Sequence, residues 1–130
     1  MTVLVTDAGF TADDWTGGFE DRADVATLPS DADAAAFADQ LGTLALIRVE
    51  FPSFADGRGF GIARRLRDMG YKGRLRATGH VISDQYAMAR RCGFDEVEIS
   101  DDLAARQPED QWQFRASWQA HDYQSRLRAS

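Results

Sequence analysis

Apolar and polar positions along this chain keep two alternating rhythms. Short runs of aliphatic and β-branched residues, at Thr2–Thr6, Val25–Leu28, 44–51, 74–78 and 96–99, read as strands. Between them, apolar residues recur at three- and four-residue spacing, the rhythm of a helix with one buried face. Ser30 is placed to cap a helix over 31–41, with Ala34, Phe37, Ala38 and Leu41 on one face and Gly42 as its C-cap glycine. Residues 60–69 form the next helix, with Ile62, Ala63, Leu66 and Met69 toward a core and the arginines outward, and 82–92 form another. Thr11, three residues before Asp14, starts a short helix reaching Trp15, and Pro108-Glu109-Asp110 starts a last one. The run Leu44-Ala45-Leu46-Ile47 is apolar without interruption, as expected of a strand covered on both faces.

One pattern occurs twice. Met69-Gly70-Tyr71 and Cys92-Gly93-Phe94 each give a helix end, a glycine, an aromatic and then a strand. A glycine can take positive φ to stop the helix, and the aromatic then folds back on its last turn. Two such βα units with short connections favour parallel strands and right-handed crossovers. The expectation is a single-domain α/β fold over residues 1–130, a mainly parallel sheet flanked by helices, with a half-barrel of βα units as the alternative. The segment 108–130 forms an aromatic tail, frayed over its last five residues.

Charge changes this picture more than composition does. The net charge of −6 excludes nucleic acid and an anionic membrane as partners of the whole surface. Its distribution is uneven. Residues 1–57 hold eleven acids against Arg22 and Arg48, whereas residues 58–91 hold nine bases against Asp68 and Asp84. A basic middle in an acidic chain is either a site for an anion or partner, or a set of solvated helix faces. A single cysteine, Cys92, excludes an internal disulfide framework and fits a reducing compartment. With neither a basic leader nor a membrane-length apolar run in the sequence, the expected location is the cytoplasm.

In an open parallel sheet, ligands bind beyond the carboxyl ends of the strands. That edge is expected to carry Asp7 and the loops 52–59, 79–84 and 100–102. In the first long loop, Asp56, Gly57, Arg58 and Gly59 precede a helix that carries Arg64. Free backbone N–H groups and a guanidinium there suit an oxyanion or a partner carboxylate. The plainer reading makes Asp56 a helix cap and pairs Arg58 with an internal carboxylate. In the second loop, Gly79 and His80 end a strand, and Asp84 and Gln85 open a helix; an Asp84–Arg58 pair across the two loops would explain both charges.

Catalytic candidates are few: His80, Asp84 and Cys92. Arg90 and Arg91 could lower the pKa of Cys92, but a helix C-terminus and an inward-facing position argue for an inert thiol. There is no Ser-His-Asp order, two-histidine zinc spacing or dinucleotide fingerprint, so no metal is assigned and no cofactor follows from the residues. Trp112, Trp118 and Tyr123 suit anchorage to the core or to a second subunit better than stacking on a cofactor.

The run Phe51-Pro52-Ser53-Phe54-Ala55-Asp56-Gly57-Arg58-Gly59-Phe60, with Gly70-Tyr71, Leu75-Arg76-Ala77, Gly79, Asp84-Gln85 and Arg91-Cys92-Gly93-Phe94-Asp95, resembles a bacterial family classed as a domain of unknown function (number nine hundred and thirty-four). The resemblance is strongest over 44–100. It implies a predicted oxidoreductase of sulfite reduction, encoded beside sulfite or nitrite reductase in sulfate assimilation and cysteine synthesis. His80 stands where the family usually has aspartate, and Gly61 where it has serine, which weakens any proposal of a carboxylate at that strand end. Three readings follow. The first is an accessory protein that docks sulfite/nitrite reductase, or another sulfate-assimilation protein, through the arginine loop. The second is a small oxidoreductase or an anion-, nucleotide- or flavin-binding subunit using the same strand ends. The third is a structural domain that forms homo-oligomers through its tail.

Overall fold

The computed structural model describes residues 2–12 and 24–115, with side chains as far as Gln113. Its strands are β1 (Thr2–Thr6), β2 (Gly9–Thr11), β3 (Val25–Leu28), β4 (Leu46–Phe51), β5 (Arg74–Gly79) and β6 (Glu96–Ser100). Its helices are α1 (Arg58–Asp68), α2 (Tyr86–Cys92), α3 (Asp101–Arg106) and α4 (Glu109–Arg115), with 3-10 turns at Ala34–Gln40 and Ser83–Gln85. The strands form one sheet in the order β2-β1-β6-β5-β4-β3. β3 to β6 run parallel, and β1 is antiparallel to both neighbours. The chain is therefore a small α/β domain with a mainly parallel sheet, as the alternating rhythms predict. Antiparallel β1 and β2 extend the sheet at one edge, so the sheet is mixed rather than a pure run of βα units. Among the described residues, no helix is long and apolar enough to cross a membrane.

The parallel strands follow one another across the sheet in chain order. With crossovers of the usual hand, such an order places every connecting helix on the same face. That face carries Ile47, Val49, Leu75, Ala77, Val97 and Val5, packed with Ile62, Ala63 and Leu66 of α1 and Ala89 of α2. The opposite face is charged. Arg76 is wholly buried, with Glu96 and Glu98 nearly so. The guanidinium of Arg76 lies 3.0 Å from each of these carboxylates; Arg74 bonds Glu96 at 2.7 Å, and Arg48 and Thr78 donate to Glu98 at 2.8 and 3.0 Å. The strand expected to be apolar on both faces thus alternates from Ile47 onward, with Arg48 in the ladder and Glu50 exposed at its end.

Both helix–glycine–aromatic stops form as predicted. Gly70 and Gly93 have φ of 99° and 110°. The amides of Tyr71 and Phe94 return to the carbonyls of Leu66 and Ala89, closing each helix with the wide bond of a Schellman turn. Other boundaries differ from expectation. The helix expected over 31–41 is a 3-10 turn starting at Ala34, capped by Asp33, whose carboxylate accepts from the amide of Ala35 at 3.0 Å. Three residues per turn put Ala34 and Phe37 inward and leave Ala38 exposed, and Gly42 is not left-handed. Ser30 does not cap it; its hydroxyl accepts from Arg58 instead. Thr11 lies in β2 and Ala12 is not helical; residues 13–15 of the short helix expected there fall outside the described residues, as do Trp118 and Tyr123.

Candidate functional site

The ends of β3, β4 and β5 and the loops that follow them enclose a cleft of about 520 Å³. Backbone geometry brings the two loops together. His80 donates its amide to the carbonyl of Phe51 at 2.9 Å, and the Gln85 side chain donates to the carbonyl of Phe54 at 3.0 Å while accepting from the amide of Ile82 at 3.1 Å. Gly79 makes the close approach possible. Its φ is +112°, and a Cβ there would lie 2.7 Å from the carbonyl oxygen of Phe51. The Phe54 ring, exposed at the rim, meets the His80 imidazole edge-on at 5.2 Å.

Arg58 stands beside them with its side chain 62 % exposed. Its guanidinium donates to both oxygens of Asp56, at 3.0 and 2.8 Å, and to Ser30 at 3.0 Å. Asp56 also accepts the backbone amide of Arg58 at 3.2 Å. These bonds hold the Asp56 carboxyl well below the usual carboxylate range, the Arg58 side chain being the largest cause. The plainer reading of this loop holds for the charge, since Asp56 accepts the amide of Arg58 and neutralises that arginine, but the helix cap is Gly57 rather than Asp56. The Asp84–Arg58 pair is not formed, because Asp56, two residues away in the same loop, takes the guanidinium first. Asp84 lies exposed in the 3-10 turn.

The glycines around Arg58 serve packing. Gly57 caps α1 with φ of −91°, an ordinary value. Gly59 is buried because a Cβ would sit 2.6 Å from the Phe51 ring. Arg64 is exposed one turn and a half along α1, with Asp68 at 3.9 Å, and it faces the Cys92 side rather than the cleft. Asp7 is also absent from this rim. Because β1 is antiparallel, its end lies at the opposite edge of the sheet, where Asp7 accepts from Tyr86 at 2.5 Å and from Arg90 at 3.1 Å.

Four of the nine bases of the middle segment are structural. Arg67 donates to the carbonyls of Gly93, Tyr71 and Gly73 and to Asp95, all at 2.9 Å. Arg74 and Arg76 belong to the ladder, and Arg90 to Asp7. Cys92 is half-buried, and burial pushes its thiol up. Trp112 is core: its ring stands edge-on to Tyr86 at 6.1 Å, and its indole N–H donates to the carbonyl of Gln107 at 2.9 Å.

Five cleft residues were not singled out by sequence: Ser30, Asp31, Arg48, Glu50 and Thr78. Arg48, Glu50 and Thr78 lie on the charged sheet face, so only strand register could have brought them to the rim. Among the described residues, no group of three or more His, Cys, Asp or Glu side chains is placed to hold a metal. Compared with known families, residues 25–129 match the model described as a bacterial protein of unknown function, DUF934, extending on both sides the stretch that carries the resemblance. Neither a curated protein nor a solved structure matches the chain.

Proposed function

The chain belongs to the DUF934 family, and from that premise we propose that it is an accessory protein of sulfite reduction that docks a protein partner at the strand-end rim. The Gln85–Phe54 link carries this reading, because it fastens two βα loops into one surface presenting Phe54, His80 and Arg58. An exposed aromatic beside an arginine whose rotamer is already fixed is the composition that dominates binding energy at protein interfaces. The sulfite connection rests on the likeness of residues 44–100, the stretch that contains both loops.

The test is affinity capture from sulfate-grown bacterial cells. The wild-type chain should retain a sulfite or nitrite reductase component or another sulfate-assimilation protein, and Phe54→Ala and Arg58→Glu should lose it while keeping native circular dichroism. Equal capture by all three would reject the rim, and no such partner on the wild type would reject the role. The cleft favours a second reading, a ligand-binding subunit acting at the same strand ends, because its volume lies in the small-molecule range. A visible chromophore or nucleotide absorbance in the freshly purified chain would support it.

A further inference from the structure

Resting on the docking reading above, we infer that the strand-end cleft receives a basic side chain of the partner, an arginine or lysine, rather than an anion. Four side chains of fixed charge line it: Arg48, Arg58, Asp31 and Glu50. Both arginines are bonded to acids outside the lining, Arg58 to Asp56 and Arg48 to Glu98, each at 2.8 Å, with Glu98 shared by Arg76. Asp31 adds a second negative field at Arg58. Glu50 is exposed, and among the described residues it forms no hydrogen bond or ion pair. With Asp56 and the whole sheet ladder included, the cleft and the groups paired to its arginines hold four positive charges (Arg48, Arg58, Arg74 and Arg76) and five negative ones (Asp31, Glu50, Asp56, Glu96 and Glu98). The excess is one negative charge, and Glu50 is the lining acid without an arginine of its own.

Shape narrows the occupant further. The acids share the cleft with Pro29, Phe51 and Pro52, so its lining combines an apolar wall with two carboxylates. Arginine and lysine match that division, with an aliphatic stem and a charged tip. Sulfate, phosphate or a partner carboxylate would meet Asp31 and Glu50, with both lining arginines already bonded to acids. Phe54 and His80 at the rim would then flank the backbone of the inserted residue.

The test uses the full chain, isotope-labelled, in nuclear magnetic resonance titrations at constant ionic strength. The probes are a capped Gly-Arg-Gly peptide, a capped Gly-Glu-Gly peptide and sodium sulfate. The arginyl peptide should bind on the order of millimolar, moving the amides of Ser30, Glu50, Gly79 and His80 saturably. Binding should weaken about three- to five-fold in Glu50→Gln, the scale of one partly exposed ion pair. The glutamyl peptide and sulfate should produce no saturable shift there. Saturation by either anion, no saturable shift with the arginyl peptide, or equal arginyl binding in wild type and Asp31→Asn/Glu50→Gln would overturn the inference. Arginyl binding without capture of a reductase component would leave the cleft chemistry standing and sink only the sulfite role.

Discussion

Replacing Arg76 by methionine removes the centre of the charged ladder while keeping most of the aliphatic stem. Arg76 is wholly buried, and its guanidinium contacts Glu96 at 3.0 and 3.2 Å and Glu98 at 3.0 Å. Breaking a buried ion pair by removing one partner costs about 3–5 kcal/mol, because the other charge stays desolvated. Here the carboxylates keep other donors: Glu96 retains Arg74 at 2.7 Å, and Glu98 retains Arg48 at 2.8 Å and Thr78 at 3.0 Å. The loss should therefore fall at the low end, about 3 kcal/mol, or roughly a 10 °C drop in Tm for a chain of this size. Urea unfolding followed by circular dichroism measures it, with the slope unchanged. Glu96→Gln in the same chain would take the carboxylate from Arg74 and should recover no stability. A single variant within 1 kcal/mol of wild type would refute the ladder as a structural element. The cleft would then lose its support, since Arg48 and Thr78 line it from the same network.

Further outcomes follow from particular groups. Gly79→Ala combines a φ of +112° with a Cβ 2.7 Å from a backbone oxygen; it should cost at least roughly 2 kcal/mol and shift the resonances of both rim loops. Burial pushes the Tyr71 hydroxyl up to about 12. An unfolded tyrosine ionises near pH 10, so its contribution is fully present below that pH and is lost as pH rises toward 12, about 3 kcal/mol in all. Alkaline urea curves should show this decline, and Tyr71→Phe should make it shallower, the remainder coming from Tyr86, which burial also raises. Cys92 should react with a thiol reagent at pH 8 far more slowly in the native chain than in urea.

The elements that sequence rhythm reveals are those stabilised locally. Gly70-Tyr71 and Gly93-Phe94 need only a positive φ and an aromatic within one helical turn, and both stops are legible. The strand-end loops are legible for the same reason, because Pro52, Asp56 and Gly79 signal turns. What failed depended on partners distant in sequence. Glu96 and Glu98 look like solvated positions until strand register sets them beside Arg76, and Asp7 moves to the other rim because β1 runs antiparallel, which no local pattern announces. The expected partner of Arg58, Asp84, lies in the neighbouring loop. A carboxylate two residues earlier in the arginine's own loop forms the shortest ring and takes it.

The central claim is that the loops after β4 and β5 form one surface, and ring-to-ring nuclear Overhauser contacts measure that directly in the full chain. The account predicts cross-peaks between the ring protons of Phe54 and His80, whose centroids lie 5.2 Å apart, and others from the Gln85 side-chain amide to Phe54. Well-resolved spectra in which neither set appears, with Phe54 in contact only with its own loop, would contradict it.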